Sequence, residues 1–441
     1  MDEGGTPAMR ISIISDVHFG DPLCQLAHFN PPESKQNPTV GPKYDAFCAV
    51  AGQNNDFLIL LGDIFDFSIA SYEESYAVAK AFFQRLQRDK IAKQIIYVSG
   101  NHDFDMWYFY EHDVNVIRRI NEGRPPRAFR YSVPGILDCR SNRSGEAFTL
   151  FGVNRNLSSS WGYGGLFLDK ITKNEDGTGT DTSFAFAYPN VYLLTDSSTI
   201  LLTHGHYLEP YWSLLSEWAL KIAEADLHAG DVLDLAEMVA INFPLNQLAC
   251  SGTGQAGPLT RVIQQLVQEV KEQNLTRVKR YLDKLDDEID RMTPARWLLD
   301  PQEAARDAAC NYGKKCVITQ LEKMKATRYS EEFVHTKDAL DRFSRFFDAT
   351  LLEIDYINQQ TQLAISNPRY VIFGHTHEPI PWGADTAPWT QSTGGQPLTL
   401  YNTGGWLVHK DKTTGQMVPC GGAVFTYDSA KTPAMTSQVV I

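Results

Sequence analysis

The sequence predicts an α/β fold interrupted by a large helical insertion, on three observations. Apolar runs of strand length alternate with amphipathic helical patterns in the first part of the chain. Later apolar runs lie close enough together to form hairpins. Between about positions 207 and 367 strand signals vanish. Strand, helix, strand in succession implies parallel pairing, whereas hairpins are antiparallel. The expectation is therefore a mixed sheet, or two sheets packed together, rather than a purely parallel one.

The strands expected are Ile11–Ser15, Phe57–Leu61, Ile95–Ser99, Phe148–Val153, Val191–Leu194, Ile200–Thr203, Tyr370–Phe373, Leu398–Asn402 and Ala423–Tyr427. Most are rich in Ile, Leu, Val and aromatics with little alternation, as expected of strands covered on both faces. A helix is expected over Glu73–Arg88, with Val78, Ala81, Phe82 and Leu86 on one side. Thr195-Asp196-Ser197-Ser198 reads as a hairpin turn between strands ending at Leu194 and starting near Thr199. In the helical block, Val278, Leu282, Leu285, Ile289 and Met292 form one apolar stripe, and Leu340, Phe343, Phe347, Leu351 and Ile354 form another. The expected organisation is a core in two parts, residues 1–206 and 368–441, around a helical insertion at 207–367. The insertion's apolar stripes would pack on each other and on the core, or in part form a substrate cap or the seam of a homodimer.

The 441 residues have an ordinary globular composition and a net charge of −13. That balance disfavours a nucleic-acid surface, which wants clustered Lys and Arg. It leaves room for a phosphorylated substrate if bound cations supply positive charge locally. No basic stretch followed by an apolar core opens the chain, and no run is long enough to span a bilayer. The seven cysteines are scattered and odd in number. They read as free thiols in a reducing compartment, so a cytoplasmic location is expected.

The chemistry collects where strands end. After the expected strands come Asp16-Val17-His18, Gly62-Asp63-Ile64-Phe65-Asp66, Gly100-Asn101-His102-Asp103, His204-Gly205-His206 and Gly374-His375-Thr376-His377. In open α/β sheets, ligands bind outside the carboxyl ends of the strands, so these tips point to one shared site. Carboxylate, amide oxygen and imidazole together suit Mn, Fe, Zn or Co, and the absence of clustered thiolates disfavours a structural zinc site. A carboxylate can bridge two cations, and a metal pair can clamp a phosphoester for in-line displacement. An Asn can ligate without adding charge, leaving the adjacent His for the substrate and the next Asp to orient it.

This ordered set, D-x-H, G-D-x-x-D, G-N-H-D, a lone His and G-H-x-H, resembles the calcineurin-like metallophosphoesterase family over roughly residues 9–206 and 368–430. The resemblance implies a four-layer α/β/β/α sandwich of mixed sheets and two divalent transition metal ions. It implies that Asp16, His18 and His377 ligate one metal, Asn101, His204 and His375 the other, and that Asp63 bridges both. It further implies a metal-bridging hydroxide as nucleophile, His102 facing the substrate, and Asp103 behind it. The Asn402-Thr403-Gly404-Gly405 turn is similar to the loop after the family's last core strand. Asp66 is a candidate to hydrogen-bond a ligand histidine or to serve as a helix N-terminal carboxylate, and His206 either touches metal or substrate or is a second-layer or merely polar residue.

The expected activity is metal-dependent hydrolysis of a phosphomonoester, phosphodiester or pyrophosphate in a small-molecule or lipid-linked substrate. A lipid- or nucleotide-linked pyrophosphatase of the same family is the alternative. G-D-I-F-D-F and the helical segment after His204 are similar to the branch that cleaves a lipid A precursor, although that branch carries Arg where this chain has His102. An alternative of another class is an interaction protein with a vestigial metal site. Two further patterns carry less. Gly252–Gly257 fits G-x-G-x-x-G on paper but lacks the preceding strand a dinucleotide site needs, so it reads as a loop. Asn174–Asp181 lacks the closing Glu of a calcium loop. The aromatics Phe104, Trp107, Tyr108, Phe109 and Tyr110 read as core, some of it near the site.

Overall fold

The computed structural model describes residues 8–153, 182–209, 212–213, 215–217, 234–254, 275–292, 333–392, 394–410 and 416–441. The first stretch contains β1 (Arg10–Ile14), β2 (Ala27–Phe29), β3 (Pro38–Val40), α1 (Tyr44–Ala51), β4 (Asn55–Leu61), α2 (Tyr72–Arg88) and β5 (Ala92–Val98). It continues through α3 (Phe104–His112), α4 (Arg118–Asn121), β6 (Gly135–Asp138) and β7 (Phe148–Leu150). Next come β8 (Ser183–Ala187), β9 (Asn190–Leu194), β10 (Thr199–Thr203), α5 (Leu235–Gly254), α6 (Thr276–Met292) and α7 (Lys337–Gln360). The C-terminal stretch holds β11 (Tyr370–Phe373), β12 (Pro379–Ile380), β13 (Trp389–Gln391), β14 (Pro397–Thr403), β15 (Val408–Lys410), β16 (Met417–Pro419), β17 (Ala423–Asp428) and β18 (Met435–Val439).

These strands build two mixed sheets. The first runs β18-β17-β1-β4-β5-β8, with β1, β4, β5 and β8 mutually parallel and β17 and β18 antiparallel. The second runs β12-β14-β11-β10-β9-β6-β7, with β13 paired to β14. In it β10, β11 and β14 are parallel neighbours, and β9–β10 is the expected hairpin, closed by Thr195 N–H donating to Ser198 O (2.9 Å). Phe57 of β4 meets Phe148 of β7 at 6.2 Å between ring centroids, where the sheets touch. The central strands are buried almost throughout, which is why their sequences show no alternation.

The helix expected at Glu73–Arg88 is α2. Ser71 and Glu74 close its start as a reciprocal capping box, and Val78, Phe82, Phe83 and Leu86 are buried. Phe148–Val153 was expected as one strand, but only Phe148–Leu150 pairs, because Gly152 turns with φ +69°.

Contacts divide the chain into two compact units, Met1–Gln255 with Val334–Ile441, and Ala256–Phe333. The first holds both sheets, α5 and α7, so the flanks of the expected 207–367 insertion cluster with the core. On α7, Phe343, Phe347 and Ile354 of the expected stripe are buried, while Leu340 and Leu351 are half-buried. Phe346 of the same helix stacks on Tyr207 (5.8 Å). On α5, Phe243 packs against Phe104 (5.0 Å) and Tyr131 (5.5 Å). The Gly252-Thr253-Gly254 segment is the last turn of α5 rather than a loop, as glycines are tolerated where a helix ends; residues 255–257 lie outside the described residues. The second unit contributes α6, on which Val278 and Leu282 are half-buried. The side chains of Leu285, Ile289 and Met292, like Asn174–Asp181, lie outside the described residues.

Candidate metal centre

The parallel neighbours β1, β4 and β5 of the first sheet, and β10, β11 and β14 of the second, send the segments after their carboxyl ends to one place. Backbone bonds tie these segments together. Asp16 N–H donates to Gly62 O (3.0 Å), His18 N–H to Asp63 O (2.9 Å), and Gly374 N–H to His204 O (3.0 Å). Side chains extend the ties: the Asp16 carboxylate accepts from His375 N–H (2.8 and 3.0 Å), and Asp63 Oδ1 from His102 N–H (2.7 Å).

Five residues here have left-handed backbones: Asp16 (φ 51°), His18 (59°), Asp63 (52°), His375 (69°) and His377 (60°). For an L-residue that conformation costs about 1–2 kcal/mol. It persists only where the surroundings enforce it, characteristically at functional sites. Side-chain-free positions make the crowding possible. A methyl group on Gly100 would overlap the Asp63 carboxylate, and one on Gly374 would overlap Asp16 and Ser15.

The buried side chains form two clusters. In the first, His377 Nε2 lies 3.2 Å from Asp16 Oδ1 and 3.0 Å from His18 Nε2. His18 is oriented from behind, with its Nδ1 2.9 Å from Asp66 Oδ2. In the second, His204 Nε2 lies 3.2 Å from Asp63 Oδ2 and 3.1 Å from Asn101 Oδ1, while its Nδ1 donates to Leu61 O (3.0 Å). His375 joins this cluster, within 4.8 Å of ligand atoms of Asp63 and His204. Asp63 stands between the two, its Oδ2 also 3.9 Å from His18 Nε2.

The donors fit divalent cations. Asp63 Oδ2 and Asn101 Nδ2 are buried with no hydrogen-bond partner among the described residues, an arrangement that is costly unless something else satisfies it. Both His18 and His204 hold a ring nitrogen bonded behind them, which leaves Nε2 as the edge facing the carboxylates. Burial alone would lower both imidazoles. Asp66, then Asp63 and Asp16, outweigh it at His18, and Asp63 and Asp16 at His204, pushing each to about 9. Burial would raise Asp63, yet His204 and His102 hold it well below the carboxylate range. These are the signs of a site built for positive charge.

His102 differs from the rest. Its side chain is 19% exposed, whereas the cluster residues are buried. Its Nδ1 lies 3.0 Å from Asp66 Oδ1 and 2.8 Å from Ser68 Oγ. Asp66 thus serves His18 with one oxygen and His102 with the other. Asp103 requires a correction. It was expected behind His102, but its carboxylate accepts from Gly100 N–H (2.6 Å), Ile64 N–H (2.8 Å), Phe65 N–H (3.4 Å) and the Tyr97 hydroxyl. Adjacency in sequence sends the two side chains opposite ways, so Asp103 clamps the β4 and β5 tips instead. Burial, then Asp63, pushes its carboxyl up to about 6, against those bonds. His206 is buried, with ring centroids 5.5 Å from His204 and 6.4 Å from His375, and both its nitrogens lack hydrogen-bond partners among the described residues. Burial, then His204 and His375, holds it well below the usual imidazole range.

Residues 9–220 match the model of the family described as calcineurin-like phosphoesterase. This segment is a calcineurin-like phosphoesterase domain. No curated protein matches it. The phosphoesterase assignment makes the chain an enzyme of metal-dependent phosphoester hydrolysis, with His/Asp clusters able to hold metal. The matched segment carries Asp16 through His204, and the fold adds His375 and His377 from beyond it. Among the described residues no helix of this phosphoesterase is long and apolar enough to cross a membrane, and Cys24, Cys48, Cys139, Cys250 and Cys420 form no disulfide. Two contributors had no signal in the sequence: Ser68 bonds His102, and Glu209 lies 3.4 Å from His375. Asn402, in the turn singled out above, donates to Gly374 O (2.7 Å).

Proposed function

We propose that the phosphoesterase works at a dinuclear centre, within a four-layer sandwich formed by the two sheets and their flanking helices. The observation that carries the reading is Asp63, a buried carboxylate between two imidazole clusters. Asp16, His18 and His377 would hold one cation, Asn101, His204 and His375 the other, and Asp63 both. Divalent transition cations held there supply Lewis acidity and hydroxide near neutral pH. The chain's own groups do the rest. With Nδ1 taken by Asp66, His102 offers Nε2 to a leaving oxygen, as hydrogen-bond donor or general acid. Asp103 and Tyr97 keep the tips from spreading. A small phosphorylated ester, diester or pyrophosphate is the expected substrate class, in keeping with the net charge of −13, which opposes a polyanion.

The test is substitution of Asp63 or His375 by Ala, assayed on chromogenic monoester, diester and pyrophosphate with Mn²⁺, with single-stranded DNA as a further arm. Turnover of a small ester by the wild type and its loss in both variants is expected. Unchanged turnover in the variants from a metal-stripped background would overturn the reading.

A further inference from the structure

The segment after β10 turns at once. Gly205 has φ +99°, and a side chain there would run into Phe373, the last residue of β11. A short 3-10 turn, His206–Leu208, follows, closed by Leu208 N–H to Gly205 O (3.0 Å) and Glu209 N–H to His206 O (3.1 Å). The turn delivers Glu209, 6% exposed, to the centre, where its Oε1 lies 3.4 Å from His375 Nε2. Its backbone carbonyl accepts from Ser213 Oγ (3.2 Å), which helps fix its place. The carboxylate is therefore held against a chosen edge of one imidazole.

The other imidazoles of the centre show what such a contact does. His18 has Asp66 on Nδ1, and His204 has Leu61 O on Nδ1, so each is locked with the opposite nitrogen inward. At His375 the Glu209 carboxylate lies 3.4 Å from Nε2, a charge contact without hydrogen-bond geometry, on the opposite nitrogen from the one engaged in His18 and His204. We propose that Glu209 is the positioning residue of the second cluster: with a cation on Nδ1, its carboxylate would accept a hydrogen bond from the Nε2–H of His375, fixing the ring and its tautomer and leaving Nδ1 for the cation shared with Asp63, Asn101 and His204. The proposal rests on the dinuclear reading above and adds to it a residue outside the ligand set. A carboxylate behind a ligand imidazole raises its basicity, and removing it typically weakens metal affinity about 10–100-fold.

The experiment measures metal rather than turnover. Purified full-length wild type, Glu209→Gln, Glu209→Ala and Glu209→Asp are stripped with chelator and titrated with Mn²⁺. Stoichiometry, dissociation constants and the electron paramagnetic resonance spectrum are recorded, and the unfolding midpoint of each metal-free protein serves as the control. Expected are two sites in the wild type with an exchange-coupled spectrum. In Glu209→Gln and Glu209→Ala one site should weaken about 10–100-fold and the spectrum become mononuclear, while metal-free unfolding is unchanged. Glu209→Asp should recover part of the affinity. Two sites of wild-type affinity in Glu209→Gln, or loss of both sites together with a lowered metal-free midpoint, would overturn the proposal. A wild type that binds no Mn²⁺ pair would overturn the dinuclear reading itself.

Discussion

Asp66 shows how one side chain can govern two functions. Its oxygens lie 2.9 Å from His18 Nδ1 and 3.0 Å from His102 Nδ1, and burial is outweighed by those two imidazoles, which hold it well below the carboxylate range. In Asp66→Asn the amide keeps one acceptor oxygen and presents an NH2 at the other position, so one of the two histidines loses its acceptor and is favoured in the wrong tautomer. Turnover should fall about 100-fold, and Mn²⁺ affinity about 10–100-fold. Steady-state kinetics and metal titration on one preparation check this, and a variant with lowered kcat but wild-type metal affinity would separate the two roles. The ligand types were legible in the sequence because apolar strands have no reason to end in Asp, Asn and His. The supporting contacts were not. Asp103 was misplaced because neighbouring residues can point apart, and Glu209 lies in a turn whose approach to β11 is set only by tertiary packing.

At the scale of elements, α7 has a cost built into it. Glu353 places its carboxyl under cover, accepting from the Tyr192 hydroxyl of β9 (2.5 Å) and from Ser132. Burial pushes it up to about 7, with Asp234 adding to the rise and the Ser132 and Tyr192 bonds opposing it. The folded state thus keeps a proton that the unfolded chain releases near pH 4.5. Stability contributed by that proton is present below the unfolded value and is lost as pH rises through about 7. Glu353→Gln should flatten this dependence and be more stable than the wild type at pH 8. Denaturant midpoints at pH 5 and pH 8 check it, and parallel curves for the two proteins would refute it. Long elements such as α2 and α7 were readable from their periodicity. Short strands such as β6 and β8 were not, since four or five residues carry too little pattern to distinguish pairing from loop.

For the whole molecule, the centre gathers carboxylates and imidazoles into a buried region, and cations held there should contribute to folding. Each site saturated 100-fold above its dissociation constant adds about 2.7 kcal/mol. Chelation should lower the melting temperature by roughly 6 °C, and restoring Mn²⁺ should recover it. A melting curve indifferent to chelator would contradict this. A homodimer through the α6 stripe, expected from the sequence, belongs to a separate compact unit and carries no weight in that argument. The two-sheet core was foreseeable from alternating strands, helices and hairpins. The boundary of the insertion was not, because an amphipathic helix such as α7 has the same pattern whether it packs on the core or on another helix.

His375 N–H reaches the Asp16 carboxylate across 359 positions of chain. During synthesis the amino-terminal tips emerge long before β11 has been translated, and they have nothing to close against. On the dinuclear reading, a fragment that stops before the G-H-x-H segment would lack His375 and His377, and with them the groups that close the pocket, so such a product should be inert without any dedicated inhibitor.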